Sequence, residues 1–245
     1  YTYPYNIAFK YRMEDVEADL EYDLVPADLD KSVAMAKIVK HLWLEAYDEV
    51  AGITFTKTYI PKVIHLIGSG AFEPNGSYIA GTAEDGMKIT LYNINALDID
   101  NINPIQLNDI YFHVIHHEFA HILQQNKNYD AEFKKVSDGK YVGENWVNEK
   151  YPDYLKSGFV TAYARSSVDE DFVELLSIYI TFTKERWNER LLVAGTEGAA
   201  IILQKLDFVN VYMLTKWGID IDQLRDVVQR RTLEISDLDL TNPYK

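Results

Sequence analysis

Asn108-Asp109-Ile110-Tyr111-Phe112-His113-Val114-Ile115-His116-His117-Glu118-Phe119-Ala120-His121-Ile122-Leu123-Gln124-Gln125 is the stretch that decides how this chain is read. Taking His117 as the reference direction on a helical wheel, Tyr111, Phe112, Ile115, Phe119, Ile122 and Leu123 gather on the opposite side. His121 and Gln124 stay on the side of His117. Apolar residues at this spacing bury one side of a helix in a core and leave the other for a cleft. His117 and His121 are one turn apart, so a rigid backbone aims both imidazoles the same way.

His117-Glu118-Phe119-Ala120-His121 is an H-E-x-x-H pentapeptide. Two imidazoles at that separation can share one zinc ion. Glu118 sits about 100° round the axis from His117, where it reaches solvent beside the ion without becoming a ligand. That is the layout of a general base next to a Lewis acid. Histidine is scarce, six in 245 residues, so the motif stands out from the composition. The plainer alternative is a surface helix with histidines along its polar edge. His113 lies one turn before His117 and is about 12 Å along the axis from His121, too far for all three to bind one ion. His113 is therefore read as structural, and so is His116, which points about 100° away from His117.

A chain of 245 residues with a 47% apolar share supports a substantial core. It reads as one domain over 1–245, with an N-terminal α/β lobe over about 1–126 and a helical lobe over about 127–245. A net charge of −14 argues against nucleic acid and against adhesion to acidic lipid. The absence of cysteine excludes disulfides and thiolate zinc sites, so metal ligands must be histidine and carboxylate. No run of about 18 apolar residues offers a membrane span. The chain begins at Tyr1 without methionine or a signal segment and reads as a mature or trimmed form. The eighteen tyrosines suit a carbohydrate-facing surface or, more simply, amphipathic packing.

Along the chain, the first 26 residues have no clean period and read as an extended arm. Pro26 to Ala51 predicts a helix, capped by Asp28 or Asp30 and ended by Gly52. Residues 59–67 predict a strand broken by Gly68-Ser69-Gly70. Ser77 to Ala83 and Met87 to Tyr92 predict two short strands around a Glu84-Asp85-Gly86 turn. The first of these is thin in large side chains and suits an edge strand, either exposed to solvent or extended by a substrate. Residues 126–162, carrying Tyr141, Trp146, Tyr151, Tyr154 and Phe159, read as a structured loop lining a cleft. Helices are predicted from Ser167 to about Val193, Thr196 to Trp217 and Ile221 to Ile235. Strands early and helices late read as α+β with two lobes.

A catalytic zinc site takes three protein ligands and keeps one position open. The extended motif with a further glycine and histidine is excluded, because Gln124 and Lys127 occupy those places. The third ligand is then a carboxylate on another helix. The helix after Ser167 is apolar over most of its circumference, apart from a stripe of Glu170, Glu174, Ser177 and Thr181. Carboxylates on so buried a helix are expected to be paired or metal-bound, although a stripe facing water is the plain alternative. Glu170 is preferred as ligand over Asp169, Asp171 and Glu144, with Glu174 orienting a ligand histidine one turn on.

The chain resembles the gluzincin clan of zinc metallopeptidases through His117-Glu118-Phe119-Ala120-His121 and the downstream Tyr163-Ala164-Arg165-Ser166-Ser167-Val168-Asp169-Glu170-Asp171-Phe172-Val173-Glu174. The catalytic domain of anthrax lethal factor has a similar downstream pattern of tyrosine, ligand glutamate and a further acidic residue. In length and order the chain is similar to the zinc-binding metallopeptidases described as substrate import-associated zinc metallohydrolase lipoproteins. The resemblance implies a zincin-like α+β fold, a small mixed sheet with an edge strand over the active-site helix followed by a mainly helical C-terminal lobe, and Zn2+ as cofactor, with His117, His121 and Glu170 as its ligands. On a carbonyl that a peptide or glycopeptide substrate or a peptidoglycan cross-link would equally offer, it implies Glu118 as general base and Tyr163 as transition-state stabiliser. Without it, Tyr163 reads equally well as a packed tyrosine. It also implies a lipid-anchored precursor on the outer-membrane or periplasmic side of a Gram-negative cell envelope, beside a nutrient-import complex. The lipidated cysteine is absent from this sequence. Two other functions fit the motif: a catalytically silent zinc-containing protein that binds peptide or glycan for such an import system, and a scaffold subunit of the complex. Arg165 can bind a substrate carboxylate, with a surface salt bridge as the plainer reading.

Overall fold

The computed structural model describes residues 1–12, 24–72, 78–79, 81–84 and 87–241. Two compact units make up the chain, one of residues 1–119 with 230–245, the other of residues 120–229.

The first unit holds the sheet. Its strands are β1 (Ala8–Lys10), β2 (Val63–Leu66), β3 (Ala71–Phe72), β4 (Tyr78–Ile79), β5 (Gly81–Glu84) and β6 (Lys88–Leu91). The four-stranded sheet has the order β1-β2-β6-β5, and β3 pairs separately with β4. β1, β2 and β6 run parallel, in a register that sets Ile64 beside both Phe9 and Ile89. β5 takes the edge, antiparallel to β6. Ile64, Leu66, Ile89 and Leu91 are buried, and so are His65 and Thr90 between them. Both faces of the central strands are thus covered, which is why neither shows the alternation of a half-solvated strand.

Several expectations need correction. Ala8–Lys10, expected as part of an extended arm, is a strand; three residues are too few to show a period. The strand expected over 59–67 is shorter, because the helix Ile53–Tyr59 occupies its front end. Pro61 forces Ile60 into extended backbone (φ −69°, ψ 138°) and stops that helix. Asp85 and Gly86 of the expected turn, and residues 13–23 of the expected arm, lie outside the described residues. The predicted Pro26–Ala51 helix runs as Leu29–Val39, a π-helical turn Lys40–Leu44 and Glu45–Ala51. Gly52, at φ +83°, ends it, a conformation that costs glycine little. Asp28 stands at its start without a side-chain cap bond.

The motif helix begins earlier than its apolar pattern suggests. Asn103 Oδ1 accepts from the backbone N–H of Ile105 (3.0 Å) and Gln106 (3.2 Å), and Pro104 fills the first turn. The helix continues through a π turn, Asn108–Phe112, into His113–Asn126. All six residues expected on its apolar side are buried. Phe119 meets Trp43, Tyr47 and Phe55 edge-on, with ring centroids 5.5, 5.1 and 6.1 Å away. Each such pair contributes about 0.5–1.5 kcal/mol beyond its buried area, so this side of the helix has little freedom to turn. The C-terminal residues join the same unit through Arg230 and Arg231, which pair with Glu49 and Glu45.

The second unit is helical. Ser167 caps the helix Val168–Thr181 by accepting from the Glu170 N–H at 3.2 Å. This helix ends sooner than expected, at Thr181, and Thr183 caps the next one. That next helix, Lys184–Tyr212, is interrupted at Gly195 (φ 71°, ψ 179°), so a helix does restart at Thr196 as the sequence suggests. Asp220 caps Ile221–Leu233 through the N–H groups of Asp222 and Gln223. The long loop contains three short helices, Glu132–Val136, Gly143–Asn148 and Asp153–Lys156.

One buried ion pair anchors the helix that follows Ser167. Lys205 Nζ lies 2.7 Å from Asp171 Oδ2, and each side chain is 1% exposed. Lys205 also donates to the Gly158 carbonyl (2.8 Å), and Tyr141 Oη donates to Asp171 (3.0 Å). Burial pushes the Asp171 carboxyl up and the Lys205 ammonium down, and their contact opposes both shifts. Lys205→Met strands the Asp171 carboxylate in the core. It should lower unfolding stability by about 3–5 kcal/mol in chemical denaturation. Lys205→Met combined with Asp171→Leu should recover much of that loss; a double variant as unstable as the single one would assign the cost to packing instead.

Candidate metal centre

His121 and Gln124 share one side of the motif helix, His121 partly exposed and Gln124 buried. His121 Nδ1 lies 3.1 Å from Gln124 Oε1, which can only accept. In the neutral imidazole Nδ1 then carries the proton and Nε2 presents its lone pair. That Nε2 stands 3.3 Å from Glu170 Oε2. Two acceptors do not approach so closely unless a proton or a cation lies between them. Two ligand atoms each about 2.1 Å from a tetrahedral zinc ion stand about 3.4 Å apart. The observed separation fits that geometry, and the donor set of imidazole and carboxylate fits zinc.

His117 completes the group. Ligand atoms of His117, His121 and Glu170 all lie within 4.8 Å of one another. The same holds for His113, His117 and Glu174. His117 belongs to both sets, and an imidazole has two nitrogens with which to do so. A ligand histidine with a carboxylate behind its other nitrogen has a defined ring orientation and greater basicity. Glu174 is itself held: Thr161 Oγ1 donates to its Oε2 at 2.5 Å, and the residue is only 3% exposed. Glu118 is half-buried on the motif helix between the two histidines.

The rival carboxylates have other surroundings. Asp171 is the partner of Lys205, Asp169 accepts from Tyr129 Oη (2.6 Å), and Glu144 is exposed on the Gly143–Asn148 turn. His116 is buried against Tyr47, whose hydroxyl is 3.2 Å from His116 Nδ1. Burial, with the nearby His113 adding to it, pushes the His116 imidazole down to about 3, so it stays neutral and packs as an aromatic ring.

Tyr163 opens the 3-10 turn Tyr163–Arg165, just before the helix that carries Glu170. It is 36% exposed, and its ring meets Trp146 edge-on at 5.0 Å. Arg165 is taken up by the protein: it pairs with Glu149 and donates to the Lys140 carbonyl. Both side chains of the pair are 16% exposed, so this bridge is more deeply set than the surface bridge the sequence suggested. Two residues were not singled out as holders. Gln124 had a signal, its place three residues after His121 on the same side of the helix. Thr161 had none, because its contact with Glu174 spans an irregular loop.

The fold and this arrangement are those of a zinc-metallopeptidase-like protein. A family described as "Putative zinc-binding metallo-peptidase" matches residues 1–222, and the chain belongs to that family. It is also similar to a solved structure from Bacteroides caccae, titled a "putative zinc-binding metallo-peptidase". That protein is 50% identical, the match covers 100% of this chain and 92% of that one, and the TM-score is 0.87. No curated protein matches.

Gln124→Ala removes the acceptor that orients His121. Zinc affinity, measured by competition with a chromogenic chelator, should fall about 10- to 100-fold. Glu170→Ala should lower it further. Unchanged affinity in Glu170→Ala would transfer the ligand role to another residue.

Proposed function

We propose that this protein is a zinc-dependent peptidase that hydrolyses peptide or related amide bonds. The observation that carries the reading is the 3.3 Å approach of His121 Nε2 to Glu170 Oε2, with His117 one turn before His121 and Glu118 between them in sequence. When bound, zinc supplies a Lewis acid that polarises a carbonyl and brings the pKa of a water near 7.

The chain's own residues would do the rest. His117, His121 and Glu170 would hold the ion. Glu118 takes the proton of the attacking water and delivers it to the leaving amine. The Tyr163 phenol donates a hydrogen bond to the oxygen on which negative charge develops. Gln124 and Glu174 keep the histidine rings oriented. The edge position of β5 supports a peptide substrate, since an extended chain can add to such an edge through main-chain hydrogen bonds. A lipid anchor and an outer-membrane import partner belong to this reading through the family resemblance, and fractionation of cells making the full precursor checks them.

Glu118→Gln should keep zinc and lose about 10²–10⁴-fold in kcat against a peptide library. Tyr163→Phe should keep zinc and lose about 10²–10³-fold. Chelator should abolish cleavage by the unaltered protein, and zinc should restore it. A zinc-loaded protein that cleaves no peptide, or a Glu118→Gln variant with full turnover, would overturn the reading.

A further inference from the structure

Thr161 is a small polar residue in the irregular segment before the glutamate-bearing helix, and both capacities of its hydroxyl are committed. Its hydrogen goes to Glu174 Oε2 at 2.5 Å. Its oxygen accepts the Ala164 N–H at 3.0 Å. Ala164 is the middle residue of the turn Tyr163–Arg165 and is fully buried. The turn closes on itself, with the Arg165 N–H bonded to the Ala162 carbonyl (3.0 Å) and the Ser166 N–H to the Tyr163 carbonyl (2.8 Å). Glu174 lies one helical turn beyond Glu170 on Val168–Thr181. One hydroxyl therefore links the backbone that carries Tyr163 to the helix that carries Glu170.

From this geometry we infer that Thr161 is a positioning residue: through Glu174 and the Ala164 amide it sets the place of Tyr163 relative to Glu170. The inference rests on the peptidase reading for its consequence, because Tyr163 matters to turnover only if its phenol meets the reacting carbonyl. The physical requirement is strict. A hydrogen bond to a developing charge must be in place before the charge forms, and a shift of about 1 Å in such a group can cost about a hundredfold in rate. Tyr163 is partly exposed, with the edge of Trp146 against its ring. The charge-assisted bond from Thr161 to a buried carboxylate is the stronger of the two hydroxyl bonds, and it fixes the oxygen that receives Ala164.

The test uses the full chain with Thr161→Val, which removes both bonds at nearly the same shape, and Thr161→Ser, which keeps the hydroxyl. Hydrogen exchange of the Ala164 amide in metal-free protein should speed up about tenfold or more in Thr161→Val and stay near the original rate in Thr161→Ser. In zinc-loaded protein, Thr161→Val should lower kcat about 10- to 100-fold with KM little changed, and Thr161→Ser should restore kcat to within about threefold. Placed in a Tyr163→Phe background, Thr161→Val should cost almost nothing further, because the group it positions is already gone. Unchanged exchange at Ala164 overturns the link itself. A full additional loss in the Tyr163→Phe background overturns action through Tyr163. If exchange responds as expected while the unaltered zinc-loaded protein cleaves no peptide, the peptidase reading fails and the positioning role in turnover falls with it.

Discussion

Two acceptor atoms, an imidazole nitrogen and a carboxylate oxygen, are held face to face by two different helices, and the surrounding residues are arranged to keep them there. Gln124 Oε1 faces Nδ1 of His121, and the other ring nitrogen faces Glu170. Ser167 starts the Glu170 helix at a defined residue, which fixes the direction in which that glutamate leaves the axis. The Asp171–Lys205 pair sits directly next in sequence, turned into the core. Consecutive helical residues diverge by about 100°, so burying Asp171 on Lys205 commits Glu170 to a different direction. A cation at the meeting point would relieve the repulsion between the acceptors, so metal affinity and order in the site would be coupled.

The energetic cost of this arrangement is spread over the core. A buried ion pair does not add much net stability, but it is costly to break, so it discriminates strongly against a rotated or shifted helix. The same holds for Glu174, a nearly inaccessible carboxylate that is tolerated because Thr161 donates to it. The aromatic contacts of Phe119 with Trp43, Tyr47 and Phe55 lock the other side of the motif helix. Ligands on packed helices lose little further entropy when an ion arrives, because their rotamers are already restricted. Tyr163, by contrast, is on a loop, and it is the loop's own hydrogen bonds that give it a defined place.

The family assignment and the site are connected by more than a shared motif. The match extends over residues 1–222, which takes in the sheet, the motif helix, the loop and the glutamate helix. The structural similarity to the Bacteroides caccae protein at 50% identity extends over the whole of this chain. In this chain the matched stretch holds a small cluster of histidines and carboxylates, with Gln124 behind His121 and Thr161 behind Glu174.

The helices that carry the candidate ligands were legible because their signals are local. Apolar spacing of 3.6 residues set out the motif helix and the side it buries, and Ser167 marked the start of the helix holding Glu170. Interruptions are legible when one residue causes them, as Gly195 does. Elements with no local period were not: the three-residue β1 exists only because β2 lies alongside to bond it, and the early end of the helix at Thr181 depends on Thr183 starting another. The candidate site divides the same way. Spacing along one helix already brought His117, Glu118 and His121 together, because four residues make one turn wherever that helix is placed. Which of several acidic side chains meets the histidines is a matter of tertiary structure. Glu170, Asp169 and Asp171 are adjacent in sequence, and only the positions of Tyr129, Lys205 and His121 in space give each a different partner. The contact of Thr161 with Glu174 is of the same kind: no periodicity encodes it, since an irregular loop must fold back before the hydroxyl and the carboxylate can meet.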